Sequence, residues 1–390
     1  MKKTLAAVAV LGAFAGSAIA ADVTLYGIVD MGLNYSHVDA DGYTNSKDVR
    51  VDDMDKFEMK SGQQSGSRWG LKGTEDLGNG LTVGFILEDG FAADTGADTD
   101  QMFDRESSLF LEGGFGKLAF GRMGSINNGV SSWGLIGRTS AFGTSFGDYT
   151  VQAGNIFSCA GKWDNMIAYQ TPSFAGFKVY AQYSMGNTYG DDNKNAVENE
   201  SSSDRYYAIG ATYDNGPFGA YLAVDSRNYK SWNSVAKTAT DTDDSLTVTL
   251  GGSYDFEVAK VYLGAQYFDE VAISSVGGIL GKVSDFEKTG LKIEGYSVAL
   301  SADAPILGGK GMFGVGYLDA ENADSVKDNG GQEFDFTRWV VSAGYDYPLS
   351  KRTNVYGIMS YMDDEYDAAG NGADVNPSAY TFFVGMRHKF

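Results

Sequence analysis

The sequence contains little cysteine, histidine and proline. Cys159 is its single cysteine, so no intramolecular disulfide can form. Its two histidines, His37 and His388, belong to no HExxH motif and no paired Cys/His spacing, so no metal-dependent hydrolase is indicated. Five prolines beside 52 glycines, 24 tyrosines and 23 phenylalanines are typical of many short strands joined by tight turns.

Long apolar runs are also missing. Beyond residue 20 no stretch of about 18 apolar residues occurs, so the sequence holds no candidate transmembrane helix. Its mean hydropathy is slightly negative, which a β-barrel with a wet interior also produces, because only alternate residues contact lipid. The formal net charge of −21 argues against nucleic acid as a partner, since phosphates require a basic surface.

Residues 1–20 have the composition of a secretory signal peptide. Two lysines precede an apolar run that ends at Ala15, and small residues follow up to Ala20. The apolar run is too short to span a bilayer. We therefore expect cleavage between Ala20 and Ala21, which leaves one mature domain over 21–390. An uncleaved N-terminal anchor helix is the alternative.

The remainder of the chain alternates between apolar and polar residues. In the first segment Leu25, Met31 and Leu33 share one face, and Tyr26 and Asp30 lie on the other. This period of two predicts a strand with one apolar face. Fifteen further segments alternate in the same way: 67–76, 80–93, 103–113, 115–122, 164–172, 175–187, 203–215, 216–228, 244–256, 257–270, 291–304, 310–320, 334–347, 352–363 and 378–390.

The connections between these segments alternate in length. Seven are short turns, such as Gly113–Gly116 and Tyr213–Gly219. Eight are long and polar: 36–66, 94–102, 123–163, 188–202, 229–243, 271–290, 321–333 and 364–377. Such segregation predicts an all-β fold, a transmembrane antiparallel β-barrel of about 16 strands with long loops outside and short turns in the periplasm. A soluble sandwich would not segregate its loops, and no fixed repeat indicates a solenoid.

The last segment ends its alternation on an aromatic residue. Alternate residues from Tyr380 to Phe390 are nearly all apolar, and the intervening residues become more polar towards the end. This pattern suits a strand with one face towards lipid, although a half-buried strand of a soluble sheet would share it. The terminal Phe390 resembles the signal that bacterial barrel-assembly machinery reads, so we expect that machinery as a partner.

The polar parity of each segment predicts which residues face the lumen. Trp69 and Leu71 on the outer face place Arg68 and Lys72 inside. The same reasoning sends inward the basic residues Lys178, Arg227, Lys260, Lys310, Arg338, Arg387 and Lys389, and the acidic residues Asp30, Glu88 and Asp225.

The segment 103–113 fits this scheme less well. If Phe110 faces outward, Arg105 faces the lumen. Glu106 and Glu112 then fall on the lipid-facing parity, where a charge is costly. Either both glutamates lie near strand ends or the assigned register is shifted there.

A barrel of about 16 strands is too wide for side chains to fill, so its lumen holds water. The connection 123–163 is the longest in the mature chain, is rich in Gly and Ser, and has little charge, so we expect it to fold inward. Arg68 and Arg105 would face it across a constriction that filters solutes by charge. Cys159 lies within this connection, as a small buried residue or as a reactive thiol.

Acidic residues are concentrated in the loops. They are Asp39, Asp41, Asp48, Asp52, Asp53, Asp55, Asp191, Asp192, Glu198, Glu200, Asp241, Asp243, Asp244, Asp363, Asp364 and Glu365. They could bind divalent cations that bridge lipopolysaccharide, or attract cations to a vestibule. Solvated loop surface is the simpler explanation. Basic residues outnumber acidic ones in the lumen and favour anions there, whereas the acidic loops have the opposite effect.

Together these segments resemble the general porins of Neisseria-type and related β-proteobacteria. The matching motifs are VTLYGIVDMGL at 23–33, SRWGLKGTEDLGNGL at 67–81, FGKLAFGR at 115–122, AYQTPSFAGFKVYAQYS at 168–184, YPLSKRTNVYG at 347–357 and GMRHKF at 385–390. The resemblance implies a non-enzymatic diffusion channel without cofactors in the outer membrane of a Gram-negative bacterium. It also implies a homotrimer with a third extracellular loop folded into each pore and arginines at the constriction. Arg68 and Arg105 occupy matching motif positions, and Arg138 is the candidate for a third family arginine.

Three other functions stay open on the sequence alone. A barrel enzyme needs an activated nucleophile, but His388 has no Ser-containing motif beside it. A substrate-specific channel, for sugars for example, would use an aromatic ladder, and the inward tyrosines are Tyr26, Tyr180, Tyr206, Tyr221, Tyr262 and Tyr356. A structural or adhesive barrel would not conduct ions.

Overall fold

The computed structural model describes residues 23–41, 53–99, 101–186, 203–233, 238–241, 243–279, 292–325, 334–368 and 375–390. These residues form one antiparallel sheet that closes on itself where the first strand pairs with the last. The sheet contains seventeen strands. Two of them, β2 (Met54–Ser61) and β3 (Arg68–Gly78), pair with successive parts of β1 (Thr24–Asp39) and share one place in the wall, so the barrel has sixteen strand positions. The predicted 16-strand barrel is confirmed.

The strands that form the wall follow one another in chain order. After β1, β2 and β3 come β4 (Leu81–Gly90), β5 (Glu106–Gly113), β6 (Gly116–Gly124), β7 (Lys162–Gln170), β8 (Phe177–Ser184), β9 (Arg205–Asn215), β10 (Phe218–Asn228), β13 (Leu246–Asp255), β14 (Lys260–Ala272), β15 (Lys292–Ile306), β16 (Gly309–Asn322), β17 (Phe334–Pro348), β18 (Thr353–Ala368) and β19 (Ser378–Lys389). Between β10 and β13, β11 (Lys230–Asn233) and β12 (Thr238–Asp241) form a separate hairpin.

Each of the sixteen predicted segments contains a strand of the barrel, but β2 was not predicted. It lies within 36–66, which was assigned to a loop from the sequence, and β1 extends into the same range as far as Asp39. Phe57 and Met59 are exposed on its outer face, in register with Tyr35 and Leu33 of β1. Only these two residues form an apolar outer face on β2, so its alternation is too short to identify the strand from the sequence.

The two faces of the wall differ as a barrel in lipid requires. On β1 Leu25 and Leu33 are exposed, whereas Asp30 and Asn34 are buried on the inner face. Among the described residues, no helix is long and apolar enough to cross a membrane.

A long segment, residues 125–161, packs against the inner face of the wall. It contains a 3₁₀ turn at Ile136–Thr139 and one short helix, α1 (Ala153–Ile156). Phe146 contacts Tyr356 of β18 and Phe383 of β19 with ring centroids 5.8 and 6.5 Å apart. Apolar side chains of the segment therefore bury those of the wall, which stabilises both.

Several predictions from the sequence concern residues outside the described ranges. The signal peptide at 1–20 and its cleavage site at Ala20 and Ala21 lie there, as do 42–52, 187–202 and 280–291 of the acidic loops.

Candidate functional site

Four cationic side chains from separate parts of the wall border one cavity inside the barrel. Arg68 belongs to β3, Arg105 precedes β5, Lys310 belongs to β16 and Arg387 to β19. Asp346 of β17 is the one carboxylate that borders this cavity among the described residues. We call this space, with a volume of about 310 Å³, the basic cavity. Its charge excess attracts anions.

The segment 125–161 contributes Gly129 and residues 141–146 to the border of this cavity. No residue of 141–146 is charged. Backbone N–H groups of the segment donate to side chains of the wall: Ala141 to Ser301 at 2.9 Å, Val151 to Ser342 at 2.9 Å and Ser158 to Gln266 at 2.6 Å. Hydrogen bonds to three different strands hold the segment against the inner face.

Glu88 lies between the two predicted constriction arginines. Its carboxylate accepts a hydrogen bond from Arg105 Nε at 2.7 Å, and its Oε2 lies 3.5 Å from Arg68 Nε. Tyr26 Oη donates to the same carboxylate at 3.0 Å. One carboxylate neutralises only one of two guanidinium groups, so this part of the wall keeps a net positive charge.

The register predicted for 103–113 was wrong, although Arg105 does reach the basic cavity. Phe110 is only 8% exposed and faces inward, whereas Leu109 is 56% exposed on the outer face. Glu106 therefore faces inward and pairs with Glu88 across the ladder, and the Arg105 N–H also donates to the Glu88 carbonyl at 3.2 Å. Arg105 lies just before the regular ladder of β5, so strand parity does not apply to it and its side chain reaches the same face as that of Glu106.

Glu106 holds the segment 125–161 and is not a lipid-facing charge. Its carboxylate accepts hydrogen bonds from the backbone N–H and the hydroxyl of Ser132 at 2.8 and 2.9 Å, and from Ser108 Oγ at 2.8 Å. The carboxylate that parity assigned to lipid is thus satisfied on the inside.

Between β2 and β3 the chain leaves the wall. We name residues 62–67 the inner strap. Its residue Gln64 reaches over the inner face of β1 and β19 to donate to Asp346 of β17 at 2.7 Å and to accept from Asn354 of β18 at 2.8 Å. Sequence reasoning missed this element, although the run GQQSGS between two alternating stretches is a visible signal.

Asp30 does not present its charge to the lumen as predicted. It is fully buried, and its Oδ2 accepts the backbone N–H groups of Gln64 and Ser65 at 2.9 and 2.7 Å. The hydroxyl of Tyr356 donates to its other oxygen. Three donors satisfy this carboxylate, so it fixes the inner strap and does not line the cavity.

Arg338 is on the predicted inner face but is not accessible from the lumen. The side chains of Arg338 and Asp364 are both 0% exposed, and Arg338 Nε donates to Asp364 Oδ1 at 2.7 Å. Arg338 Nη1 also donates to the carbonyls of Asn155 and Val276 at 2.7 and 2.8 Å. Two segments that lie over the wall therefore cover this pair. Asp364, which was counted among the loop acids from the sequence, is its buried partner.

The other predicted lumen residues lie elsewhere. Arg138 pairs with Asp214 and borders a separate cavity with Lys260, so the structure does not bring it to Arg68 and Arg105. Lys72 lies over the Tyr26 ring beside the basic cavity. The remaining residues lie on the inner faces of their strands: Lys178 on β8, Asp225 and Arg227 on β10, and Lys389 on β19. Arg227 pairs with Asp204.

A second group of cations adjoins the basic cavity near the turns 307–308 and 349–352. They border a second cavity, which is lined by Lys351, Arg352 and Lys389. Lys310 and Arg387 line both this second cavity and the basic cavity. Sequence parity missed Lys351 and Arg352 because they belong to a turn, where alternation does not apply.

The histidines and tyrosines that a barrel enzyme or a sugar channel would use do not form such sites in the described residues. His388 hydrogen-bonds Thr353 Oγ1 at 2.9 Å, and His37 lies 3.1 Å from Asp55. The described part of the chain contains no group of three His, Cys, Asp or Glu side chains that could hold a metal ion. Tyr206 and Tyr221 are buried, so they cannot form a ladder for sugars.

Comparison with known proteins connects this geometry to a family. The profile that describes the Gram-negative porins matches residues 6–368. An outer membrane porin protein of Bordetella pertussis is 36% identical over 416 aligned residues, and outer membrane porin protein 32 of Delftia acidovorans is 31% identical over 404, each covering all of both chains. The solved anion-selective porin from Comamonas acidovorans is 26% identical with a TM-score of 0.61, over 95% of this chain and all of that one.

Proposed function

The chain belongs to the Gram-negative porin family, and from the charges inside its barrel we propose that its channel favours small anions over cations. It is an outer-membrane β-barrel channel for passive diffusion and not an enzyme. Family membership establishes the channel, whereas its preference among ions depends on the charges inside the barrel.

One observation carries the anion preference. Arg68, Arg105, Lys310 and Arg387 border the basic cavity, and Asp346 is the one carboxylate that borders it in the described chain. Glu88 pairs with Arg105 and Arg68 from outside that border, which leaves the group with an excess of positive charge. Asp346 also accepts hydrogen bonds from Gln64 and Asn354, which disperse its charge. The solved Comamonas protein is named an anion-selective porin, and its likeness to this chain supports the same preference.

We propose further that the segment 125–161 narrows the channel opposite these cations. Its hydrogen bonds to inner strands support this role, and so does its uncharged border at 141–146. An uncharged wall facing a basic one produces a transverse field that orders water and discriminates among solutes by charge.

From the resemblance to the family we also propose how the channel is exported and assembled. Export would depend on the signal at 1–20 with cleavage between Ala20 and Ala21, and insertion on recognition of Phe390 by barrel-assembly machinery. The mature chain would form a homotrimer in contact with lipopolysaccharide, with divalent cations at its acidic loops.

The zero-current potential of the purified porin in a planar lipid bilayer tests the anion preference. With KCl at unequal concentrations on the two sides, we expect a potential whose sign reports higher permeability for chloride than for potassium. A potential of the opposite sign would refute the proposed selectivity, and absence of any conductance would refute a diffusion channel.

A further inference from the structure

The inner strap is the second chain segment that borders the basic cavity. It contributes Gln64 and Ser65 to that border. The chain leaves β2 at Gly62, whose φ of +74° favours glycine, and returns at Ser67, whose hydroxyl donates to the Asp30 carbonyl at 3.1 Å. The strap is thus held at both ends and lies inside the wall.

We infer that the inner strap is a second constriction element and that Asp30 is its positioning residue. This inference rests on the proposed function, because the strap would orient the cations that give the channel its preference for anions. Asp30 acts only through the strap, since its own carboxylate is buried and faces Gln64, Ser65 and Tyr356.

Contacts from the strap to three arginines support this role. Ser65 Oγ accepts a hydrogen bond from Arg387 Nη1 at 2.9 Å, and the Gly66 carbonyl accepts one from Arg68 Nη1 at 3.3 Å. A Cβ at Gly66 would lie 3.2 Å from Arg105 Nη1, so the strap also approaches that side chain closely. Guanidinium groups on three different parts of the wall are therefore arranged around one short segment.

The far end of the strap is fixed as well. Gln64 joins Asp346 and Asn354, and Asn354 Oδ1 accepts a hydrogen bond from Arg387 Nε at 3.1 Å. Arg387 is therefore held from two sides, by Ser65 and by Asn354. If Asp30 no longer binds the strap, its backbone N–H groups lose their acceptor, and the strap and Arg387 gain freedom to move.

Single-channel recording of Asp30→Ala tests the inference. We expect conductance to rise by about half and the anion preference to fall, because a mobile strap widens the channel and no longer orients the arginines. Asp30→Asn should have a smaller effect, since its amide oxygen can still accept one N–H of the strap. Unchanged conductance and selectivity in a folded Asp30→Ala barrel would overturn the inference.

Glu270→Ala is the matched control. Glu270 is also a buried carboxylate that accepts a backbone N–H from a residue outside the sheet, that of Ser325 at 2.9 Å, but it does not border the basic cavity. We expect its conductance and selectivity to equal those of the unmodified porin. Equal changes in both variants would mean that loosening any inner segment suffices, which would also overturn the inference.

A second experiment applies even if Asp30→Ala fails to fold. Ser65→Cys is made in a Cys159→Ser background and treated in the bilayer with a negatively charged methanethiosulfonate. Because Ser65 borders the cavity, we expect a stepwise fall in conductance that dithiothreitol reverses, and none with Cys159→Ser alone. No fall at Ser65→Cys would refute a strap that lines the channel. The zero-current potential of the unmodified porin tests the proposed anion preference separately.

Discussion

On β19 Arg387 borders an open cavity, whereas on β17, two strand positions away, Arg338 is completely covered. Both arginines lie on the inner parity of their strands. Arg387 binds neutral oxygen atoms of Ser65 and Asn354 and keeps its charge available. Arg338 is neutralised by Asp364. Arg387 is therefore exposed to the basic cavity, whereas Arg338 attaches the inward segments to the wall.

The difference depends on what lies over each strand. Carbonyl groups of Asn155 and Val276 bind Arg338 from above, and these belong to connections that fold back over β17. Beside Arg387 the inner strap lies against the wall but leaves the guanidinium at the border of the cavity. Burial of an arginine inside this barrel is consequently decided by the loops.

Replacing Arg338 should have the largest effect. Arg338→Met leaves the Asp364 carboxylate buried without its partner, and we expect a loss of about 3–5 kcal/mol in the free energy of unfolding. Urea denaturation of the porin in lipid vesicles measures it. Arg138→Met removes an ion pair that is partly exposed, so it should cost about 0–1 kcal/mol.

A double variant sharpens that result. Arg338→Met with Asp364→Leu removes both charges, and it should recover part of the stability lost in the single variant, because no unpaired charge remains buried. If the single variant is as stable as Arg138→Met, the covered pair does not attach the inward segments as described.

The next largest effect concerns the arginines of the basic cavity. Removing Arg68 and Arg105 together should lower the ratio of chloride to potassium permeability by at least about fivefold, since one charge near 4 Å contributes about 1 kcal/mol in water. Zero-current potentials measure the ratio. Arg138→Ala should leave it unchanged because Arg138 borders a different cavity. A comparable shift in that control would show that total charge, and not the basic cavity, sets selectivity.

The smallest effect concerns Cys159, a partly buried residue of the segment 125–161. Burial raises the pKa of the Cys159 thiol to about 12, aided by the nearby Asp225. Below that pH the thiol stays protonated, so at pH 8 iodoacetamide should react about a thousandfold more slowly than with a free cysteine. Mass spectrometry of folded and urea-unfolded samples measures the rates, and we expect the folded rate to increase with pH up to about 12. Rapid labelling of folded porin at pH 8 would contradict a raised pKa of the Cys159 thiol.

The wall of the barrel could be predicted from the sequence because its cause is local. A strand in contact with lipid on one face must alternate between apolar and polar residues. This period of two identified sixteen of the seventeen strands of the sheet, all but β2. The period also placed Arg68 and Arg387 on the inner face. Neighbouring residues alone carry this information.

The surroundings of the inner residues could not be predicted in this way. Arg338 and Arg387 have the same parity, and only contacts with residues far away in sequence distinguish them. Parity itself failed within 103–113, where Phe110 was assigned to the outer face and Glu106 to the lipid-facing parity, although both lie on the inner face. Parity predicted that Asp30 is a charge in the lumen. It could not show that Asp30 accepts hydrogen bonds from the inner strap, because the strap lies more than thirty residues further along the chain.

The closure of the barrel also limits when it can form during synthesis. Gly27 and Phe390 exchange two backbone hydrogen bonds, at 3.2 and 3.1 Å, and residues 28–39 pair with 378–389. These partners are separated by most of the chain, so the final pairing is a slow contact of very high sequence separation. Until 378–389 have been synthesised, one side of β1 lacks its partner, and an unpaired strand edge promotes aggregation. The growing chain must therefore be shielded from other chains until its last strand arrives.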